Sequence, residues 1–165
     1  MPITYENIAT TTLGTATKSI TFSSIPGTYT DLRVVLVGTF QTGADYFEVT
    51  FNGTTSGYSW NRMSGDGSTS AAGRITSNTK WVPNLPLAGS TTIPMLSTVD
   101  VFSYAGSTNK SGIMETSADT NGSGLVIRSA GLWQNTAAIT SIKLEVQSYN
   151  WNSGTTATLY GIKNA

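Results

Sequence analysis

Alternation of apolar and polar residues is the dominant pattern along this chain, and it predicts β-strands. The clearest example is Ile142–Gln147, where the two kinds of residue alternate strictly, as in a strand with one buried and one solvated face. Phe47–Phe51 shows the same pattern and leads into Asn52-Gly53, a pair that favours a hairpin turn because both residues tolerate positive φ. Leu32–Val37 is apolar on both faces apart from Arg33, so we expect a strand in the middle of a sheet.

Other segments of similar character predict the remaining strands, with turn residues between them. These segments are Ser19–Phe22, Ile75–Val82, Val99–Tyr104, Gly112–Glu115, Leu125–Ser129 and Thr156–Ile162. No window carries the apolar stripe of an amphipathic helix, and Gly131 argues against a helical turn within 129–138. About eight to ten short strands separated by turns favour an all-β fold, an antiparallel two-sheet β-sandwich that is jelly-roll-like.

The chain shows no boundary between two folded domains. Residues 1–17 are mostly small and polar, and they predict an extended N-terminal arm or an edge strand. Residues 18–165 then form a single β-sandwich domain. The Gly- and Ser-rich stretch Gly65–Gly73 is interpreted as a long loop, because strand-like sequence continues on both sides of it.

Composition excludes many kinds of chemistry. The 165 residues include no histidine and no cysteine, which excludes a Ser-His-Asp triad, a cysteine nucleophile and the usual zinc, haem and iron–sulfur ligands. Charged residues make up only 11% of the chain, well below the roughly 25% of ordinary soluble domains. A chain with so little charge has few means of protecting its sheet edges, so we expect a homo-oligomer that buries them.

The charge pattern also limits the partners. Nine basic and nine acidic residues are scattered without clusters, which argues against a nucleic-acid partner. The longest aliphatic run, Val34–Val37, is far too short to insert into a membrane. Residues 1–7 lack the basic and apolar regions of a secretory signal, so we expect synthesis in the cytoplasm.

The carboxylates do not form a recognisable catalytic pair. Glu48, Asp100 and Glu145 alternate with apolar neighbours and are expected on solvated strand faces, while Asp31 and Asp66 lie in turns. We therefore expect no enzymatic activity, no catalytic residue and no cofactor.

Metal binding is likewise not expected. The segment Asp119–Ser123 has some similarity to the start of a calcium loop, but it lacks the third acidic position and the closing glutamate, so a turn is the simpler interpretation. Asp66 between two glycines is a weaker case of the same kind.

The aromatic residues are the most informative candidates for binding. We expect Trp60, Trp81 and Trp133 to be structural, either at the ends of the sandwich or in a subunit interface. Tyr149, Trp151 and Asn152 belong to a polar segment and are the candidate contacts to a partner or a glycan, with a buried, structural role left open for both aromatic rings.

Several stretches of this chain resemble small structural proteins of tailed bacteriophages, particularly environmental and cyanobacterial phages. They are Phe22–Leu32, Phe51-Asn52-Gly53, Gly65–Ser68, Ala130–Ile142 and Ala157–Lys163, the C-terminal run Ala130–Lys163 being the most specific part. The resemblance spans about residue 18 to the end. It implies a virion structural role rather than a particular place on the particle, and it carries over no catalytic residue. The location that we expect is the outer surface of the virion.

Three functions are weighed on this basis. The first is a capsid decoration (cement) protein, a homotrimer that contacts the major capsid protein, with residues 2–17 as a strap that adds a strand to a neighbour. The alternative is a tail-fibre or baseplate receptor-binding protein that recognises a host surface glycan. The third, a polysaccharide-degrading tail enzyme, needs an acid/base pair that the sequence does not provide.

Overall fold

The computed structural model describes residues 4–42, 45–82, 91–119 and 124–163, which form β-strands and no helix. Accordingly, no helix able to cross a membrane occurs in these ranges. The strands are β1 (Thr4–Thr12), β2 (Ser19–Phe22), β3 (Asp31–Gly38), β4 (Phe47–Phe51), β5 (Tyr58–Gly65), β6 (Ser70–Asn78), β7 (Met95–Phe102), β8 (Lys110–Asp119), β9 (Gly124–Trp133), β10 (Ile142–Val146) and β11 (Thr156–Lys163).

The strands form two antiparallel sheets of unequal size. The large sheet has the order β1-β11-β3-β7-β8-β9-β5-β6, and the small sheet has the order β2-β10-β4. Apolar side chains between them form one core; for example, the ring of Phe51 in β4 lies 5.4 Å from that of Trp133 in β9, measured between centroids. The predicted all-β, antiparallel two-sheet β-sandwich is therefore confirmed.

Most predicted strands are present, and the differences concern their ends. β2 and β4 have the predicted bounds, whereas β8 and β9 extend further in both directions than predicted. The long loop expected at Gly65–Gly73 is wrong, because β5 and β6 form a hairpin there. The side chain of Asp66 closes its turn by accepting hydrogen bonds from the amides of Ser68 and Thr69 (2.9 and 2.6 Å). The amide of Thr69, followed by that of Ser68, lowers the pKa of this carboxyl group.

The hairpin expected at Asn52-Gly53 is also wrong, although the turn itself forms. Both residues have positive φ (53° and 66°), and the amide of Thr54 donates to the carbonyl of Phe51 across 2.9 Å. The chain then leaves the small sheet, and the next strand, β5, joins the large one. The Asn52 side chain binds residues 138–141, which precede β10 of the small sheet, at distances of 2.8 to 3.1 Å.

Of the two expectations for the N-terminal residues, the structure shows the edge strand. β1 pairs with β11 from Thr4–Lys163 to Thr12–Thr156, with one irregularity between Asn7 and Ala9. Only a strap that leaves this sheet as a separate arm would have to give up the pairing, since β1 is the edge strand and pairs with β11 through one side. The N-terminal strand is thus part of the sandwich in the single chain.

Tyr58 connects the two sheets through a buried hydroxyl group. The hydroxyl accepts a hydrogen bond from the amide of Phe51 (2.8 Å) and donates to the carbonyl of Thr54 (3.3 Å). Burial raises the pKa of Tyr58 to about 12, and the hydrogen bond from Phe51 opposes the shift.

This shift predicts a loss of stability at high pH. Because the folded-state pKa lies above the unfolded value near 10, the contribution is complete below pH 10 and is lost as the pH rises through 12, by about 2–3 kcal/mol. Urea denaturation between pH 9 and 11.5 measures the loss. Tyr58→Phe should reduce the pH dependence, and an unchanged dependence in that variant would contradict the assignment.

Candidate functional site

The large sheet has one face against the core and one face that no other part of the described chain covers. Along β3, for example, Leu32, Val34 and Leu36 are buried in the core, whereas Arg33, Val35 and Val37 point away from it. We call this second surface the outer face. Strand pairing places Val37, Leu96, Ser117 and Val126 in one row across β3, β7, β8 and β9.

The outer face is unusually apolar for a solvent-exposed surface. The described residues include seven large apolar side chains that are exposed, and six of them lie on this face. These six are Tyr5, Val37, Met63, Leu96, Phe102 and Val126, with exposed fractions from 41% to 64%. Exposed apolar residues are normally scattered, so their concentration on one face makes this face the candidate interaction surface.

A notch lies in the apolar row at Ser117. This small residue sits between Leu96 on β7 and Val126 on β9. Thr98, Glu115 and Arg128 form the neighbouring row of the outer face. Residues of the two rows line a groove of about 430 Å³. Its wall is largely apolar, which suits an apolar side chain from a partner.

Charged residues at the centre of the outer face are paired with one another. Arg33 binds Asp100 through two hydrogen bonds (2.6 and 2.9 Å), a bidentate arrangement across neighbouring strands. Arg128 and Glu115 form a second pair at 3.2 Å. Each positive group thus has a carboxylate beside it, and the centre of the face carries no uncompensated charge.

A second groove, of about 380 Å³, lies between two exposed aromatic rings. Tyr5 and Phe102 are at its sides, and the Arg33–Asp100 pair and Ile113 are among the residues that line it. The guanidinium carbon of Arg33 lies 5.6 Å from the centroid of the Tyr5 ring. This contact adds a cation–π interaction to the ion pair and holds the arginine in place.

Of the residues predicted to contact a partner, Tyr149 is exposed, with 46% of its surface accessible. Its loop is anchored by the buried carboxylate of Asp45, which accepts hydrogen bonds from the amides of Ser148 and Tyr149 (3.1 and 2.9 Å). The ring is therefore presented on a fixed backbone. Tyr149 lies outside the outer face.

Trp151 has a different role from the predicted one. Its side chain is fully buried and stacks on Phe40, with 4.9 Å between ring centroids. The prediction that this ring contacts a partner is wrong, because neither of its faces reaches the surface. The side-chain amide of Asn152 is also engaged: its NH₂ group donates to the Thr39 hydroxyl and the Phe40 carbonyl (2.8 and 3.0 Å).

The other three tryptophans are buried within the single chain, in agreement with a structural role. Trp60, Trp81 and Trp133 are 4%, 3% and 1% exposed. Trp81 donates its indole N–H to the hydroxyl of Ser129 at 3.2 Å, and its backbone exchanges two hydrogen bonds with Val49 of β4. These tryptophans supply core contacts, and their rings are not available to an external ligand.

The acidic residues are used mainly in ion pairs and turns. Glu48, expected on a solvated face, is buried and paired with Lys80, so that expectation is wrong. Glu145 pairs with Lys143 at 3.0 Å, and Asp100 pairs with Arg33 as described. Within the described ranges, no three acidic residues gather where they could hold a metal ion. Most of the segment considered for calcium, 120–123, lies outside the described residues.

The sequence interpretation did not identify the outer face as a site, although β3 contained a signal. Its apolar residues on both faces predict a strand that is covered on both sides. Among the described residues, only one side is covered, by the small sheet. Val35 and Val37 lie on the other side, which the described part of the chain leaves uncovered.

Comparison with known proteins provides no further identification: no family model, no curated protein and no solved structure matches this chain.

Proposed function

We propose that this chain is a non-enzymatic structural protein of a tailed-bacteriophage particle, and that it acts as a decoration protein on the outer surface of the capsid. The observation that carries the proposal is the concentration of six exposed apolar side chains on the outer face. A protein that works by burying surface in an assembly needs such a face, whereas a free monomer has no use for it. The resemblance to phage structural proteins supplies the kind of assembly.

The mechanism follows from mass action. A protein that binds only the assembled shell stabilises that shell, by a free energy that grows with the logarithm of its concentration relative to its dissociation constant. The uncovered sheet face provides apolar area for contacts among neighbouring copies or with the major capsid protein. Because Arg33 and Arg128 are already paired with carboxylates of the same chain, these contacts require no charged partner.

Gold-labelled antibodies against the protein, applied to purified particles, test the location. We expect the label to be distributed over the heads. Particles that lack the protein should also lose infectivity at a lower temperature than particles that contain it. Label confined to the tail, with unchanged heat resistance, would contradict the decoration role.

The exposed ring of Tyr149 favours a second candidate, a tail-fibre or baseplate receptor-binding protein that recognises a host surface glycan. Its loop is held by Asp45, so the ring is presented with little loss of conformational freedom.

Under this second candidate, Tyr149→Ala should reduce adsorption of particles to host cells by roughly tenfold. Tyr5→Ala is the matched control, since Tyr5 is similarly exposed but lies on the outer face. A tenfold loss for Tyr149→Ala alone supports receptor binding. Equal adsorption by both variants and the wild type would count against this loop.

A further inference from the structure

We propose that the outer face is covered by a second copy of this chain, and that the two large sheets pack face to face about a twofold axis. The proposed function also rests on the outer face, and a second copy of the chain is the partner that we assign to that face. An assembly built from dimers replaces the trimer expected from the sequence.

The shape of the apolar row is complementary to itself. The row carries three exposed apolar side chains, Val37, Leu96 and Val126, with the Ser117 notch between the last two. Leu96 is 48% exposed and Val126 is 62% exposed, so both project beyond the sheet. A twofold contact presents the same patch from both subunits, so a projecting side chain of each copy can enter the notch of the other. Neighbouring apolar rows then interdigitate, as in the core between two packed sheets.

The charge distribution permits this approach. At the centre of the face, the Arg33–Asp100 and Arg128–Glu115 pairs are each neutral, so two copies meet without a concentration of like charge. The other charged residues of the face lie towards its edges: Asp31 begins β3, Asp119 ends β8, and Arg74 is on the edge strand β6.

The same neutrality disfavours occupants that depend on charge. Nucleic acid and anionic membrane surfaces are bound through uncompensated lysine and arginine residues. At the centre of this face, both arginines already have carboxylate partners.

The area of the face is also sufficient. Eight strands at the usual spacing, each about eight residues long, span roughly 900 Å². Stable protein interfaces bury about 800 Å² on each partner. A second copy could therefore cover the apolar residues and form a dimer of ordinary interface size.

Sedimentation or light scattering of the purified full chain over a range of concentrations tests the proposal. We expect the wild type to have twice the mass of the single chain. Leu96→Glu and Val126→Glu should each raise the dimer dissociation constant by about thirtyfold or more, because each places a charge in the apolar contact. Ser56→Glu is the control; it adds the same charge in an exposed loop before β5 and should leave the dimer intact. Circular dichroism establishes whether each variant is folded.

Cross-linking provides a measurement that does not depend on disrupting the interface. The chain has no cysteine, so Ser117→Cys introduces a single thiol at the notch. A short bis-maleimide should link two such chains efficiently at low protein concentration. Ser56→Cys should yield little product.

Three outcomes would overturn the inference: a wild type that stays monomeric, a trimer, or a dimer that persists in both glutamate variants without cross-linking at position 117. These results are separable from the location of the protein. A monomer that still labels the phage heads would overturn the self-pairing and leave the decoration role in place. A dimer found only on the tail would support the self-pairing and overturn the decoration role.

Discussion

Replacing Trp151 with alanine is expected to lower the free energy of unfolding by about 3–5 kcal/mol. The indole ring is fully buried between Phe40 and Phe47, with ring centroids 4.9 and 5.6 Å away. Its backbone also exchanges hydrogen bonds with Thr17 (2.9 and 3.1 Å), so the residue holds the segment before β2 against the end of the sandwich. Removing the ring leaves a large cavity where these segments meet. Chemical denaturation of the wild type and the variant measures the loss.

Trp151→Phe is the matched control. The indole N–H is buried without a hydrogen-bond partner among the described residues, so phenylalanine removes an unsatisfied donor together with part of the apolar ring. We expect it to retain most of the stability that alanine loses. If Trp151→Ala were as stable as the wild type and instead weakened binding to cells, the ring would have to be a ligand contact after all.

The burial of Trp151 illustrates a limit of interpreting sequence neighbours. The residue is flanked by Asn150 and Asn152, which made an exposed aromatic loop a reasonable expectation. Its backbone is held by bridges to Phe40 and Thr17, which are more than 100 positions away in the chain. Strand-to-strand bridges between distant segments are not encoded in local polarity.

Strand positions were predictable where the alternating pattern is strong. β4 is an example, with the predicted bounds Phe47–Phe51. Which sheet a strand joins was not predictable, because that depends on pairing between segments far apart in the chain, such as β5 with β9. The same distinction explains the hairpin that was expected at Asn52-Gly53. Its turn chemistry was right, and its strand pairing was wrong.

The outer face could be recognised only by combining the sequence pattern with the structure. The sequence shows that β3 is apolar on both faces, and the structure shows that the small sheet covers only one of them. The small sheet has three strands and lies against the core face of the eight-stranded sheet. The opposite face, with Leu96 and Val126 on it, is left without cover within the described chain.

The connection between the two sheets depends on Trp81 and on two glycines beneath it. Gly112 on β8 and Gly131 on β9 are register partners, and the indole ring lies directly over both. Through its backbone, Trp81 extends the small sheet beside Val49. The ring can approach the large sheet this closely only because neither glycine has a side chain.

Gly131→Ala should therefore destabilise the protein by about 3 kcal/mol, because the new methyl carbon would lie 2.3 Å from an indole carbon of Trp81. The ring must move, which would weaken its hydrogen bond to Ser129 and the contact between the sheets. Thermal or urea unfolding measures the effect.

Gly14→Ala is the control for that substitution, since a methyl group there would meet nothing within 4 Å, and its stability should be unchanged or slightly higher. If the mechanism is steric, Gly131→Ala should cost much less when it is added to Trp81→Leu, since the smaller side chain leaves room for the methyl group. Fully additive losses in the double variant would show that the ring does not require the glycine beneath it. A small coupling energy between the two substitutions would assign the loss of stability to the backbone of β9. A large coupling energy would establish Trp81 as the residue that holds the small sheet against the large sheet.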